Sequence, residues 1–442
     1  MRKGLFVAGA LVVIIGLVVI KGVISSKRSM PVASPTQETM ASARTTPVDS
    51  RIRKAETIIE ISPDNPDGYN LLASGYMQKA RETGDFSFNK RAESALKKAF
   101  ELSPENLDAL NLRAALLVTN HQFGDALEVA RRAQQIRPAN PDSYAVMTDA
   151  LAELGDYAGA IEAAQRMMDL RPDSVAYSRA SHLRALHGDV EGAVEAMSVA
   201  VKAAGPADPE HLSWYRVHLG IALMNVGKLE EAEREFDAAL QAFPDYHIAL
   251  AAKGRARMEA GDYEAAISFY RKAQERVPLP GTAIALGDLY TRQGRLNEAK
   301  RQEDFVEVIE RAGAPGSVSY SRQLALFWAD HDTRLDEAVA IMRRERAARS
   351  DIYTCDALAW CLFKKGELRE AAAAISEAMK LGTRDARIFY HAGSIHKALG
   401  DRANARRYLK LAIETRVSFD NSVASFTILQ AETAKRALEG ID

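Results

Sequence analysis

Residues 213–244, SWYRVHLGIALMNVGKLEEAEREFDAALQAFP, decide the fold. Gly227 divides two apolar-patterned stretches, Ala232, Phe236 and Ala239 follow at helical spacing, and Pro244 closes the unit. A Gly adopts the left-handed conformation that ends a helix, a state that costs a residue with a Cβ about 1–2 kcal/mol. Ala five positions later lets a second helix approach the first closely. Pro, which lacks an N–H, stops that helix before the next begins. The stretch therefore reads as a helical hairpin.

The same marks run along most of the chain. Pro104, Pro138, Pro172 and Pro206 recur at one fixed step, and Pro244 and Pro278 resume it. Seven copies of a Gly-to-Ala signature keep the register: GDYAGA (155–160), GDVEGA (188–193), GKLEEA (227–232), GDYEAA (261–266), GRLNEA (294–299), GELREA (366–371) and GDRANA (400–405). A period of about 34 residues specifies a helical solenoid, because one hairpin cannot bury its apolar face and neighbours must stack.

These residues resemble the tetratricopeptide repeat. Leu219, Gly220, Leu223, Gly227, Ala232, Phe236, Ala239 and Pro244 follow its pattern, as do Leu250, Gly254, Gly261, Tyr263, Ala266, Tyr270, Ala273 and Pro278. About ten units start near Pro66, Leu107, Pro141, Ser174, Ser213, His247, Pro280, Val318, Ile352 and Ala386, and the resemblance covers roughly 52–416. It implies an all-α, right-handed superhelical solenoid. The register departs at 80–92, at the long join 203–211, and at AGAPGS (312–317), and Thr333 stands where Gly is expected. The expected organisation is repeats one to seven over 51–311, repeats eight to ten over 312–416 after a bend or boundary, and a capping helix within 417–442 that closes the exposed end.

The amino-terminal segment is of another kind. Residues 4–20, GLFVAGALVVIIGLVVI, carry no charge, and the apolar run continues to 24 past Lys21. At about 1.5 Å per residue such a run spans most of a bilayer core of roughly 30 Å, so 1–24 reads as one transmembrane helix. The competing reading is a cleaved secretion signal, with cleavage after Ser25 as the alternative. Against it, the run exceeds the usual apolar length, Lys21 sits where the cleavage region should be neutral, and Ala41-Ser42-Ala43 is too far downstream. No Cys lies near the run, which excludes a lipoprotein. Residues 25–50, rich in Ser, Thr, Pro and Ala, read as a flexible linker.

Arg2 and Lys3 oppose Lys21, Lys27 and Arg28, so charge bias nearly cancels. A short tail before a first span usually stays inside, which places the repeats outside the cytoplasm, in a bacterial periplasm or at the cell exterior. The alternatives are the cytoplasmic face, or secretion after cleavage.

Composition limits the function classes. Lys+Arg total 58 and Asp+Glu 59, for a net charge of −1, with no basic block beyond Lys27–Arg28, so nucleic acid is not an expected partner. Two cysteines give no disulfide framework, which suits the bacterial envelope; Cys355 and Cys361 are six apart on one helix, too distant for a bridge. No GxxxxGK[ST], GxSxG, HExxH or CxxC motif is present. His391 and His396 are five apart and diverge on a helix; His211 and His218 share a face without a patterned third ligand. The expectation is no catalytic residue, no metal, no cofactor and no small-molecule substrate.

The resemblance implies that the first helix of each hairpin lines a concave groove through its second, fifth, ninth and twelfth positions. The candidate partner-binding residues are Asn111, Asp149, His182, Trp214, His218, Arg255, Asp288, Tyr353, Asp356, Trp360, Tyr390 and His391. Asn70, Ser74, Phe363, Arg387 and Lys397 lie at equivalent positions, and Trp328 falls in a core slot. Aromatics and Arg with a polar rim are the composition of interaction hot spots. Asn70 and Ser74, Asn111 and Ala115, Ala145 and Asp149 do not make the carboxylate clamp by which some of these repeats hold chaperone tails. The expected function is a membrane-tethered adaptor that holds extended or helical segments of other proteins, with the bilayer engaged by residues 4–24. It resembles single-span envelope repeat proteins of folding, secretion or assembly. The alternative is a structural assembly subunit of a membrane-associated complex or homo-oligomer.

Overall fold

The computed structural model describes residues 46–312, 321–415, 418 and 428–441, which form twenty-two helices and no strand. Helix α1 (Pro47–Ile61) precedes ten hairpins. They are α2–α3 (Pro66–Thr83, Ser87–Leu102), α4–α5 (Leu107–Thr119, Phe123–Ile136), α6–α7 (Pro141–Glu153, Tyr157–Leu170), α8–α9 (Ser174–Leu186, Val190–Ala203) and α10–α11 (Pro209–Asn225, Leu229–Ala242). The second five are α12–α13 (His247–Glu259, Tyr263–Arg276), α14–α15 (Pro280–Arg292, Leu296–Ala312), α16–α17 (Ser321–Asp330, Leu335–Ala348), α18–α19 (Ile352–Lys365, Leu368–Ala378) and α20–α21 (Ala386–Ala398, Arg402–Thr415). Helix α22 (Ile428–Glu439) follows.

Local chemistry places these boundaries. Most first helices begin behind an Asn or Asp whose side chain accepts a backbone N–H, as Asn106 does from Ala109, Asp173 from Val175 and Ala176, and Asp385 from Arg387 and Ile388, while Tyr246 and Leu279 precede two without such a cap. Each such cap is worth about 1 kcal/mol. Close packing inside a hairpin rests on small residues. In the fifth, Gly220 faces the Phe236 ring, and a Cβ there would lie 2.3 Å from a ring carbon. Phe236 itself is fully buried beside Ala232 and Ala239.

Three boundaries differ from the sequence reading. The chain is already helical at Pro47, inside the expected linker, where Val48 and Ala55 are buried and Asp49 pairs with Lys79 of α2 at 2.7 Å. The fifth hairpin starts at Pro209 rather than Ser213: the additional residues lengthen α10 by a turn, with Asp208 as its cap. The turn lacking Gly at 333 is made by Asp332 (φ 53) and Arg334 (φ 47). Arg334 then lies 3.8 Å from the centroid of the buried Trp328 ring.

Residues 1–45, including the apolar segment 4–24, and 313–320, including most of AGAPGS, lie outside the described residues. No helix among the described residues is long and apolar enough to cross a membrane. The helices on either side of 313–320 share one core, in which Val306 joins Leu324, Leu326 and Trp328.

Successive turns of the superhelix touch. A Cβ on Gly84 would meet the Val277 side chain, one on Gly155 the Ser350 carbonyl oxygen, and one on Gly188 the Gly382 carbonyl oxygen. In each pair the turn of one hairpin seats on the joint between the fifth and sixth hairpins after it. Hydrogen bonds run along the seam: Ser350 N donates to Glu153 O at 3.1 Å, Ile352 N to Tyr157 Oη at 2.9 Å, and Thr383 Oγ1 to Leu186 O. Across the seam Arg349 pairs with Glu153 at 3.1 Å. The concave face is therefore a walled space rather than an open groove.

Helix α22 lies across the inner side instead of merely covering the last hairpin. It packs on α21, and its Glu432 and Gln430 reach Arg292 of α14 and Asp330 of α16.

Candidate functional site

Inside the superhelix is a cavity of about 810 Å³. Seven of the twelve residues expected on the concave face line it: Asp149 on α6, His182 on α8, Trp214 and His218 on α10, Arg255 on α12, Asp288 on α14 and Tyr353 on α18. Met197, Met224, Met258, Ile221 and Ile248 fill the wall between them.

Several charged groups of the cavity are paired. Arg179 donates to Asp149, Arg322 to Asp351 at 3.3 Å, and Arg349 bonds Glu153. Asp351 also caps α18 by accepting from Tyr353 N and Thr354 N, each at 3.0 Å. Arg255, 8% exposed, donates to the Ser418 carbonyl at 2.7 Å; burial lowers its pKa, with Glu259 opposing the shift. The Trp214 and His218 rings are 3.8 Å apart.

Desolvation keeps His218, His247 and His121 uncharged at neutral pH. Burial, with His182 nearby, holds His218 down at about 3. Burial lowers His247 to about 4 against the pull of Glu210, and lowers His121 to about 4 with help from Arg349 and Arg322. Neutral imidazoles, ion pairs and thioethers give the cavity a lining in which Asp149, Glu153, Asp288 and Asp351 stand against Arg179, Arg255, Arg322 and Arg349.

The other five expected residues are elsewhere. Asn111 accepts from Ser143 Oγ at 2.9 Å and ties the second hairpin to the third. Asp356, Trp360, Tyr390 and His391 form a buried layer between the ninth and tenth hairpins, which corrects their reading as accessible groove contacts. Asp356 Oδ2 accepts from Arg387 Nε at 3.0 Å and Asp356 Oδ1 pairs with His391 Nδ1 at 2.8 Å, all three side chains buried. Trp360 stacks on His391 at 4.1 Å and donates to Asp330 Oδ1 at 2.8 Å. The cause is packing: these positions face one another on adjacent first helices, and α22 covers them through Gln430. Burial pushes the Asp356 carboxyl up, but His391 and Arg387 outweigh it and hold the pKa below the usual range.

Sequence reasoning missed Arg179, His247, Arg322 and His121. Arg179 and His247 lie on first helices at positions outside the pattern used, whereas Arg322 falls at the fifth position counted from Val318 and was not singled out. His121 sits at a hairpin turn, where its φ of 59 takes the place of the usual Gly. Among the described residues one group has metal-ligand proximity, Asp208, Glu210 and His211. Arg81 pairs with Glu210 at 2.9 Å and Arg51 with Asp208 at 3.5 Å, so guanidinium groups supply the positive charge that a metal ion would bring.

Models of the tetratricopeptide repeat match residues 78–141, 148–209, 218–279 and 386–416, and the chain carries these repeats. Human DnaJ homolog subfamily C member 3 is 26% identical over 214 residues, which cover 44% of this chain and 42% of that protein. The chain thus matches less than half the length of that relative. The human IFIT1 dimer with PPP-AAAA aligns with a TM-score of 0.50 at 15% identity, over 75% of this chain and 77% of that one. Yeast Tom70 aligns with a TM-score of 0.39 at 14% identity, over 89% and 92%.

Proposed function

We propose that this stack of tetratricopeptide repeats is a membrane-tethered, non-catalytic adaptor that holds segments of partner proteins inside its superhelix, in envelope protein folding, secretion or complex assembly. Residues 4–24 are the tether, and the repeats work outside the cytoplasm.

The observation that carries this reading is convergence. Six side chains chosen by repeat position, from six first helices between the third hairpin and the ninth, meet at one cavity, together with His218 beside them. Trp214 and Tyr353 are the aromatic anchors, and the Arg179–Asp149 pair and Asp288 form a polar rim, the composition of a protein-binding hot spot. A polyanionic ligand would need unmatched cations; here Arg179, Arg322 and Arg349 are each set against a carboxylate.

The test is crosslinking and affinity capture in the native membrane, read by mass spectrometry. Three forms are compared: the full chain, the chain without residues 1–45, which keeps α1 whole, and Trp214→Ala/Asp288→Ala. A small recurring partner set that survives removal of 1–45 and is lost in the double variant supports the adaptor. Recovery of self-copies only, or of one complex lost with residues 1–45, supports a permanent assembly subunit instead.

A further inference from the structure

Helix α22 buries fewer side chains than either helix of the last hairpin, α20 or α21. Within it only Gln430 and Ala434 are buried, whereas α20 buries nine residues. Its apolar face is thin, made of Ala431, Ala434, Ala437 and Leu438, with Ile428 against the Leu286 and Leu289 cluster.

Polar anchors set its position. Gln430 Nε2 donates to both oxygens of Asp330 at 3.3 Å, and Glu432 pairs with Arg292 at 2.6 Å. Two residues apart on a helix, these side chains point to opposite flanks, so α22 is clasped between α16 and α14. At its far end Lys397 Nζ donates to Ala437 O at 3.1 Å and Arg402 to Ile441 O. Both cations meet the negative end of the helix dipole. Upstream, Ser418 is buried: its carbonyl accepts from Arg255 in the cavity wall, and its hydroxyl donates to Asp385 at 2.6 Å.

We infer that the seat of α22 is a helix-docking site and that the chain's own helix is its resident competitor. The partner it takes is an amphipathic helix with a narrow alanine face. It carries a carboxamide and, two residues on, a carboxylate, and it leaves its last carbonyls free for Lys397 and Arg402. The inference rests on the adaptor reading and names a partner chemistry for the same inner face. The seat selects a helix over an extended strand because Lys397 and Arg402 meet carbonyls at a helix end. The resident helix is a weak competitor because the ion pair described for it, Arg292–Glu432, is about 40% exposed on both sides.

The probe is a labelled peptide of residues 428–441, ILQAETAKRALEGI, followed by fluorescence anisotropy. In the released variant Glu432→Arg/Ala434→Glu, one change opposes Arg292 and the other places a charge at a fully buried Ala. The peptide should bind this variant at least about tenfold more tightly than the intact chain, which corresponds to about 1.4 kcal/mol. Adding Arg292→Glu should weaken binding about fivefold, and a peptide carrying Glu432→Arg should restore it. A folded released variant that ignores the peptide, or an intact chain that binds it equally, overturns the inference. So does concentration-dependent dimerisation of the released variant, which assigns the seat to a second copy. If that variant does not fold, hydrogen exchange on the intact chain decides: amides of α22 should exchange at least about tenfold faster than those of α21, and equal protection overturns the inference. Trp214→Ala does not touch this seat, so retention of cellular partners in that variant with peptide binding intact defeats the adaptor reading alone.

Discussion

Gly155 turns the third hairpin and Ser350 lies at the joint between the eighth and ninth, yet a Cβ on Gly155 would stand 2.7 Å from the Ser350 carbonyl oxygen. Gly155 also has φ 80, so it serves its own hairpin turn and the seam between superhelical turns at once. Gly261 has the same φ and nothing within 4 Å. Gly261→Ala should cost about 1–2 kcal/mol from the backbone alone. Gly155→Ala should cost about 1–3 kcal/mol more, because the Ser350 joint must shift. Urea unfolding of the two variants checks this; equal losses would mean that the seam is loose.

Asp356 is a fully buried carboxylate shared by Arg387 and His391. Asp356→Ala leaves the Arg387 guanidinium buried beside a lost partner and should destabilise by about 3–5 kcal/mol. The folded-state pKa of Asp356 lies below the ordinary value of about 3.9. Its stabilising contribution is therefore complete above about pH 4 and is lost as pH falls through the folded-state value. Equilibrium unfolding of wild type and variant at pH 7 and pH 3 should show a smaller difference at pH 3.

The buried histidines have the opposite chemistry but the same direction with pH. Their folded-state values, about 3 for His218 and about 4 for His247 and His121, lie below the unfolded value near 6.5. Between those values the unfolded chain binds more protons, so stability falls as pH drops from about 6.5 toward 4. His218→Gln should flatten the slope by at most about 1.4 kcal/mol per pH unit. An unchanged slope between pH 6.5 and 4.5 would show that His218 is already solvated in the folded chain.

Trp360 and Trp214 should separate stability from binding. Trp360 is 3% exposed, stacked on His391 and bonded to Asp330, so Trp360→Ala should cost about 3–5 kcal/mol and lower the melting temperature. Trp214 is half-buried at the cavity, and Trp214→Ala should cost less while removing partner capture. Calorimetry beside affinity capture distinguishes the two. The reverse pattern would return the site to the ninth and tenth hairpins.

The ten hairpins were legible because Gly turns, Pro stops and Asn or Asp caps act within a few residues of themselves. The departures had local signs as well: Asp208-Pro209 is a cap followed by a residue preorganised for the first helical position, and it marks the longer α10. The site was legible only in part. Repeat position tells which side chains point inward, and it led to Asp149, His182, Trp214, Arg255, Asp288 and Tyr353, with His218 beside them. It does not tell whether inward means cavity or core. That depends on superhelical pitch, which contacts such as Gly188 with Gly382 fix and which no single repeat contains. Trp360 and Tyr390 passed for contact residues for this reason, and α22 for a plain end cap.

The seam changes what kind of object a repeat protein of this size is. A solenoid whose turns stand apart is a spring: it extends under load by small rotations at each joint, and it unzips from either end one unit at a time. Here extension must first break Ser350 from Glu153, Ile352 from Tyr157 and Thr383 from Leu186. The coil is mechanically shut, and a pulling experiment should record one high-force rupture before the low plateau of sequential unzipping.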